Sequence, residues 1–225
     1  MAAKDTLSEY HRRRDFSQTR EPEGRAERAE ADRQPSFVVQ IHDATTTHFD
    51  FRLEAEGVLK SWAVPKGPPG DPHAKRLAMP TEDHPLDYRD FEGTIAAGEY
   101  GAGAVIVWDE GTYLNLTADR RGRPIPVAEA VRRGHVSFRL DGHKLHGGYS
   151  LTRFRGSDTG DREAWLLVRH AGAHTAAPDA PDPRRARSAR SGHTLGQVRA
   201  AAEATSDPAP EAEPKRSAPH GGRRV

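Results

Sequence analysis

The stretch His48–Glu54 reads His-Phe-Asp-Phe-Arg-Leu-Glu, with polar and apolar side chains in strict alternation. Successive side chains of a β-strand point to opposite faces, so the four ionisable residues share one face and the three apolar residues share the other. We expect Phe49, Phe51 and Leu53 to face a core. The stretch therefore predicts a half-buried strand with an ionisable outer face.

Other short segments on both sides of this stretch share its β-branched and aromatic character and are separated by turn residues such as Asp109-Glu110-Gly111. They predict a mainly β protein, an antiparallel barrel or sandwich, with a few short helices. A core helix is predicted over residues 126–133 and a short helix within residues 8–16. The predicted strands besides His48–Glu54 are 37–42, 61–64, 104–108, 112–116, 135–140, 149–154 and 165–169.

The composition divides the chain into three parts. Residues 1–36 are charged, with acids and bases roughly balanced, and are expected to be partly flexible. Residues 37–170 hold the predicted strands and form the expected β-barrel domain. Residues 171–225 are basic and rich in Ala, Pro and Arg, a composition that buries too little apolar surface to offset the entropy of ordering. This tail is predicted to be disordered.

Charge and cysteine content exclude several classes of protein. The formal net charge of +1 argues against a protein that coats duplex nucleic acid by bulk electrostatics. No cysteine is present, so disulfide frameworks and thiolate metal sites are excluded. The polar start of the chain lacks the apolar core of a secretory signal, and no apolar run approaches a membrane span. We expect a soluble, cytoplasmic protein with no membrane partner.

The spacing of His42, His48 and Asp50 is typical of a metal site. His42 ends the preceding predicted strand, and a return through residues 43–47 would bring it beside the other two. Two imidazoles and one carboxylate suit Mn²⁺, Zn²⁺ or Fe²⁺ and leave coordination positions for water and substrate. The alternative is three unrelated polar residues on a solvated edge, and spacing alone does not decide between the two.

Groups that can bind anions occur near these residues in sequence. Arg52 shares the strand face with two of the predicted ligands and could grip a phosphate, or else pair with a neighbouring glutamate. Lys66 and Arg76 follow in a loop region, and each taken alone is more often a solvated surface charge. His84 could stabilise a phosphoryl oxygen or protonate a leaving group, and Tyr88 could donate to the same oxygen, although isolated residues of these types are more often structural.

The glycine-rich run Gly98–Gly103 is not a phosphate-binding loop. No Gly-Lys-Ser/Thr follows, and the next segment is a predicted strand rather than a helix whose N-terminus could hold a phosphate. We expect these glycines to shape a turn or bulge.

Taken together, these segments resemble the 3′-phosphoesterase module of bacterial DNA ligase D, from about residue 7 to residue 170. Two substitutions, Thr46-Thr47 and Phe49, depart from the usual pattern without removing a predicted ligand. No Lys-x-Asp-Gly nucleotidyl-transfer motif occurs, so we expect a stand-alone form of the module. The blocks that carry the resemblance are residues 37–45, 48–54, 59–67, 81–88, 91–93, 98–103, 107–109, 144–145 and 148–149, with a weaker match at 165–168. Residues within the segment 10–22 resemble the N-terminal segment of that module.

The resemblance implies a compact antiparallel β-barrel with a crescent groove and a metal-dependent enzyme that trims 3′ ends. It implies removal of a terminal 3′ ribonucleoside and then of the 3′ phosphate, leaving a 3′ hydroxyl for a ligase or polymerase. The implied cofactor is Mn²⁺, with Zn²⁺ or Co²⁺ as alternatives, bound by His42, His48 and Asp50. The implied partners are 3′ ends of primer-template DNA or RNA, together with a DNA ligase, polymerase or end-binding repair protein.

The resemblance also assigns roles to the remaining site residues. It implies catalytic roles for one set and phosphate-binding roles for an overlapping set. The implied catalytic residues are Arg14, Asp15, Glu21, Arg52, His84 and Tyr88. The implied phosphate-binding residues are Arg14, Gln40, Arg52, Lys66 and Arg76.

Two other functions stay open on the sequence. Two histidines and a carboxylate also describe the facial triad of Fe(II) oxygenases, which would recruit a distant histidine such as His135 or His143. A non-catalytic module that binds nucleic-acid ends would need no metal. The basic tail could tether DNA or a repair partner, or be a solvated extension.

Overall fold

A computed structural model describes residues 6–24, 33–155, 163–172 and 179–206, and predictions for the other residues lie outside this described part. Its helices are α1 (Ser8–Arg12), α2 (Val127–Arg133) and α3 (Leu195–Ser206), with a 3₁₀ turn at Leu86–Asp90. Its strands are β1 (Ser36–Asp43), β2 (Thr47–Ala55), β3 (Val58–Val64), β4 (Lys75–Pro80), β5 (His84–Pro85), β6 (Gly93–Ile95), β7 (Gly103–Asn115), β8 (His135–Gly142), β9 (His146–Arg155) and β10 (Ala164–Arg169).

Eight of these strands form a closed antiparallel barrel. The order around the ring is β1-β2-β3-β4-β10-β9-β8-β7, and pairing of β1 with β7 closes it. The short strands β5 and β6 add to β3 and β7 outside the ring. Closure leaves no unpaired edge in the ring, and the predicted antiparallel β-barrel is confirmed. No helix in the described residues has the length and apolar character needed to cross a lipid bilayer.

The alternation in β2 sorts its side chains as the sequence predicts. Phe49, Phe51 and Leu53 are buried in the larger hydrophobic cluster, which draws on every strand of the ring and fills the barrel. Residues paired directly across an antiparallel ladder point to the same side of the sheet. The ionisable residues of β2 therefore lie on the outer face of the barrel.

A second hydrophobic cluster covers this outer face. Leu7 and Tyr10 from the N-terminal segment pack with Tyr88 of the 3₁₀ turn against side chains of β1, β3 and β7. Tyr10 is fully buried, and its hydroxyl donates a hydrogen bond of 2.6 Å to the Pro22 carbonyl oxygen. The polar face of β2 is thus enclosed between the barrel and the N-terminal segment, and α1 lies within the predicted helical region 8–16.

The turn predicted at Asp109-Glu110-Gly111 is wrong, because β7 continues through it. A bulge at this point shifts the β1–β7 register between Val39 and Gln40. Asp109 accepts backbone N–H groups from Lys144 and Leu145 across the β8–β9 turn. A side chain at Gly111 would collide with the backbone of β8, so the glycine serves strand packing. Asp109 and Gly111, residue types common in turns, therefore make tertiary contacts within a continuous strand.

Strands β4, β5 and β6 were not predicted from the sequence. β4 begins with two basic residues and ends at Pro80, and only Ala78 of its six residues is buried. β5 and β6 contain two and three residues. Segments this short or this exposed carry too little hydrophobic periodicity to be recognised.

The prediction of a disordered tail is wrong for residues 179–206. This segment packs against the barrel and ends in α3. Its residues Ala186, Leu195 and Val198 are buried in the larger hydrophobic cluster. The backbone N–H of Ala189 donates to Val107 of β7, and Arg190 pairs with Glu110 at 2.8 Å. A few apolar anchors and specific polar contacts stabilise a segment whose average composition suggested disorder. Residues 173–178 and 207–225 lie outside the described part.

The packing of α3 is tested by Leu195→Ala. Leucine and alanine have similar helix propensities, so the substitution mainly removes buried apolar contacts, and we expect a loss of about 2 kcal/mol or more in the free energy of unfolding. Chemical denaturation measures this loss. The control Glu203→Ala changes an exposed position on the same helix and should stay within about 0.5 kcal/mol of the unmodified protein. Equal stability of both variants would contradict the docking of α3.

Candidate functional site

A cavity of about 240 Å³ opens on the outer face of β1 and β2. The N-terminal segment, the residues preceding β5 and the turn after β6 form its other walls. Seven of the residues predicted from the sequence to form a site line this cavity: Arg14, His42, His48, Asp50, Arg52, His84 and Tyr88.

The β1–β2 hairpin brings the three predicted metal ligands together. His42 is paired directly with His48, and Asp50 is paired with Gln40 two residues along the ladder, on the same face. The ligand atoms of His42, His48 and Asp50 all lie within 4.8 Å of one another. Two imidazoles and one carboxylate therefore converge on a single point, as the spacing predicted.

The free ring nitrogens of both histidines face the carboxylate. Nε2 of His42 donates to the Gly101 carbonyl oxygen at 2.7 Å, and Nδ1 of His48 donates to the Thr46 carbonyl oxygen at 2.8 Å. Nδ1 of His42 then lies 3.8 Å and Nε2 of His48 lies 3.4 Å from the Asp50 oxygens. Metal-binding histidines commonly donate their other N–H to a backbone carbonyl in this way. This donor set fits a divalent cation.

Asp50 carries its negative charge inside the protein. Burial alone would favour the neutral acid, but the Arg52 guanidinium and the two histidines that face the carboxylate hold the pKa of Asp50 well below its ordinary value. Burial similarly opposes protonation of His48, yet the contact with Asp50 raises the pKa of His48. An ionised carboxylate between two imidazoles favours the binding of a cation.

Arg52 is fixed by contacts along its whole guanidinium group. Nε donates to Gln40 at 2.9 Å, Nη1 donates to Ser61 at 2.8 Å, and Nη2 donates to Asp50 at 3.0 Å. The side chain is buried and lies over the Tyr88 ring, 4.9 Å from its centroid. Nη1 also lies 2.9 Å from Nδ1 of His84, but Nη2 bears a second N–H that can still donate to an anion in the cavity.

Gln40 lies behind the cavity. Its side chain is fully buried, its amide nitrogen donates to the carbonyl oxygens of Tyr88 and Phe91, and its amide oxygen accepts from Arg52. Every polar atom of this amide is engaged with protein. In this structure Gln40 positions Arg52 instead of facing the space where a phosphate would bind.

Arg14 extends from the N-terminal segment into the same cavity. Its Nε donates to Glu21 at 2.9 Å and its Nη1 donates to Glu82 at 3.0 Å, and all three side chains are buried. The guanidinium also lies over the Tyr10 ring, 3.8 Å from its centroid. Two carboxylates and an aromatic ring thus compensate the charge of Arg14 and fix its direction.

His84 lies between the two arginines. Its Nδ1 is 2.9 Å from Nη1 of Arg52, and its Nε2 is 3.4 Å from Nη2 of Arg14. Burial together with these two positive charges lowers the pKa of His84 well below its ordinary value. The imidazole is therefore neutral near pH 7 in the unliganded protein. In this neutral state the imidazole does not act as a proton donor to a leaving group.

Tyr88 and Glu21 are linked on the far side of the cavity. The Tyr88 hydroxyl donates to Glu21 at 2.9 Å, and Glu21 also accepts from Arg14 and Thr19. Burial and the adjacent Glu21 carboxylate raise the pKa of Tyr88 well above its ordinary value. The hydroxyl proton is thus engaged by Glu21, which acts as a positioning group behind the cavity wall.

Three predicted site residues lie away from the cavity. Asp15 is exposed and accepts from the backbone and side chain of Ser17 within a local turn. Lys66 is exposed after β3. Arg76 of β4 pairs with the core residue Leu167 and donates to Asp179 at 3.3 Å, so it faces away from the outer surface that carries the site.

Glu82 and Tyr100 are among the cavity residues that received no role in the sequence analysis. The buried carboxylate of Glu82 joins Arg14 to Arg13, and Tyr100 forms part of the cavity rim. Both lie in blocks that carry the resemblance, at residues 81–88 and 98–103. Their position in those blocks is the sequence feature that could have indicated a role in the site. Their partners come from distant parts of the chain, so spacing could not reveal their roles.

Comparisons with known proteins agree with this geometry. The family described as DNA ligase D 3′-phosphoesterase domain matches residues 40–153, which include most of the β1–β2 hairpin and most of the cavity residues. The multifunctional non-homologous end joining protein LigD of Pseudomonas aeruginosa is 50% identical over 169 residues, which cover 75% of this chain and 19% of that protein. The corresponding DNA repair protein LigD of Mycobacterium tuberculosis is 46% identical over 165 residues, or 73% of this chain and 20% of that protein.

A more distant relative is similar over the same region. The multifunctional non-homologous end joining protein LigD of Mycolicibacterium smegmatis is 37% identical over 180 residues, which cover 78% of this chain and 22% of that protein. The chain therefore spans about a fifth of the length of these curated relatives. The family match covers just over half of the chain and includes all three converging ligands. The chain belongs to the DNA ligase D 3′-phosphoesterase domain family.

Proposed function

We propose that this protein is a metal-dependent hydrolase that removes 3′-terminal ribonucleosides and 3′ phosphates from DNA or RNA strands and leaves a 3′ hydroxyl. The observation that carries the proposal is one cavity with two kinds of charged group. It is lined by two imidazoles and an ionised carboxylate and, beside them, by the guanidinium groups of Arg14 and Arg52. A phosphate ester between a divalent cation and two arginines has its negative charges matched on both sides.

The metal would be held by His42, His48 and Asp50, with Mn²⁺ proposed and Zn²⁺ or Co²⁺ as alternatives. When bound, a divalent cation supplies Lewis-acid stabilisation of a phosphoryl oxygen. Carbonyl oxygens of Thr46 and Gly101 fix the tautomer of each histidine, so the coordinating nitrogens are already directed at the site. Little reorganisation is needed for the protein to accept the ion.

The arginines and His84 would bind the rest of the phosphate. Arg14 and Arg52 are held by buried partners, so their remaining N–H groups are directed without further loss of side-chain freedom. A phosphate dianion would offset the two positive charges that lower the pKa of His84, and binding would thereby favour protonation of its imidazole. Glu21 and Gln40 serve as positioning residues for these groups.

The proposed roles of Lys66, Arg76 and Asp15 rest on the resemblance alone. Lys66 and Arg76 remain predicted contacts to phosphates, and Asp15 remains a predicted site residue. Because all three residues lie outside the cavity, they would contact parts of the nucleic-acid strand that lie outside the cavity. A role in DNA end joining, with a ligase, polymerase or end-binding protein as partner and a cytoplasmic location, is proposed from the relatives named for non-homologous end joining.

The two alternative functions have no observation in their favour. The oxygenase alternative recruited His135 or His143, and neither lines the cavity. A binding module without catalysis would need no metal ligands. The family to which the chain belongs favours the phosphoesterase.

The metal ligands are tested by His42→Ala and Asp50→Asn. The first substitution removes an imidazole donor and the second removes the negative charge of the carboxylate, so we expect a loss of product release of about 100-fold or more while the fold is kept. The assay incubates labelled primer-templates that end in one ribonucleotide or in a 3′ phosphate with each divalent metal in turn, and resolves the products. His146→Ala, an exposed histidine paired at the surface with Asp141, is the matched control and should keep full activity. Full manganese-dependent activity of either ligand variant would refute the proposal.

The positioning role of Glu21 is tested by Glu21→Gln. The substitution keeps the shape but removes the charge that pairs with Arg14 and accepts the Tyr88 hydroxyl, and we expect a 10- to 100-fold decrease in kcat/KM, the usual range for supporting groups. Glu23→Gln alters an exposed glutamate two residues away and should have no effect. Steady-state kinetics on the 3′-phosphate substrate compare the two variants, and equal rates would show that the buried carboxylate is dispensable.

A further inference from the structure

We propose that the ring of Tyr100 is a stacking platform for a nucleobase at the strand end, so that the protein holds its substrate by a base as well as by a phosphate. This inference rests on the proposed function, because it requires a nucleic-acid end in the cavity. The inference assigns a binding role to Tyr100, which has no part in the proposed metal and phosphate contacts.

The cavity is too small to enclose a nucleobase in addition to the phosphate, so the base would lie at the cavity opening. Its volume of about 240 Å³ is below the range of roughly 300–1,000 Å³ typical of sites that enclose a whole organic ligand. The charged inner walls suit the phosphate. The sugar and base attached to that phosphate must then extend toward the rim, where a base needs an apolar surface to replace the stacking it has in a helix.

Tyr100 supplies such a surface at the rim. Its side chain lines the cavity and is 48% exposed. Among the described residues, Phe154 is the other strongly exposed aromatic side chain, and it does not line the cavity. Tyr88 also lines the cavity but is buried. Tyr100 is thus the aromatic ring that the described part of the site presents to an incoming strand.

The backbone of Tyr100 is fixed relative to the metal ligands. The next residue, Gly101, accepts the hydrogen bond of 2.7 Å from His42. The turn itself is closed by backbone hydrogen bonds from Glu99 to Ala96 and from Ala102 to Glu99. Gly101 has a φ of +77°, a conformation that glycine adopts without strain. The ring is therefore carried by a short, hydrogen-bonded turn next to the reaction site.

The side chain of Tyr100 is also held in place. The Arg13 guanidinium lies over the ring, 4.8 Å from its centroid, and donates to the hydroxyl. Arg13 is in turn paired with Glu9 and with Glu82, whose carboxylate also holds Arg14. A pre-positioned ring loses little freedom when a base binds. Stacking of a base on an aromatic ring, with an arginine adding cation–π attraction, is tolerant of sequence and suits an enzyme that acts on any end.

The test compares Tyr100→Leu, which removes the aromatic ring, with Tyr100→Phe, which keeps it. Two primer-templates ending in a 3′ phosphate are used, one with a normal terminal base and one with an abasic terminal sugar. We expect Tyr100→Leu to raise KM for the base-bearing end by about 5- to 100-fold, the range of base–aromatic stacking, with little change in kcat. KM for the abasic end should stay within about 2-fold, and Tyr100→Phe should behave like the unmodified protein on both ends.

An equal rise in KM for both ends would show that Tyr100 only supports the local structure, and no rise on either would show that it makes no contact. Both results overturn the inference. Equilibrium binding of the same two ends, measured by fluorescence anisotropy without added metal, separates this inference from the proposed function. If the base-bearing end binds more tightly than the abasic end and Tyr100→Leu abolishes this difference, stacking is supported even when no substrate is hydrolysed. If the substrate is hydrolysed but the two ends bind equally, the stacking inference is wrong and the proposed function stands.

Discussion

The buried ion pair between Asp50 and Arg52 is the interaction on which the site depends. Its two charges lie 3.0 Å apart, and both side chains are almost fully excluded from solvent. Burying a charge is costly unless it is paired and hydrogen-bonded, so the surrounding polar groups are required by the pair itself. Gln40, Ser61 and the two histidines supply those groups, and the same groups shape a cavity that suits a cation and a phosphate.

Enclosure of this pair depends on the N-terminal segment. Tyr10 and Leu7 cover the outer face of the barrel, and Arg14 enters the cavity from the same segment with buried carboxylates on two sides. The strands alone would leave the ionisable face of β2 in water, where charges are screened and weakly directed. Covering the face lowers the local dielectric and so strengthens the electrostatic interactions that a phosphate would experience.

Much of the barrel and the metal site could be predicted because both are local. The alternation in His48–Glu54 fixes which side chains face the core, and the short return after His42 places two histidines opposite each other. Contacts between distant segments could not be predicted in this way. The engagement of Gln40 with Arg52, the position of Arg76 on the inner side of the ladder and the packing of α3 all follow from the closed barrel.

The resemblance to a family supplied residue identities but not their geometry. It placed Glu21 and Gln40 in the site, and the structure shows that they lie behind the cavity in contact with Arg14 and Arg52. It assigned no role to Glu82, although its carboxylate bridges Arg13 and Arg14. The distinction between a group that faces the cavity and one that supports it depends on hydrogen-bond partners, which are a property of the folded chain.

We propose that three side chains bind one divalent ion beside two fixed guanidinium groups. Anomalous X-ray diffraction from crystals soaked in Mn²⁺ tests this site. We expect a single strong peak in contact with Nδ1 of His42, Nε2 of His48 and an oxygen of Asp50. A peak that contacts other residues, or no peak in this cavity at saturating Mn²⁺, would contradict it.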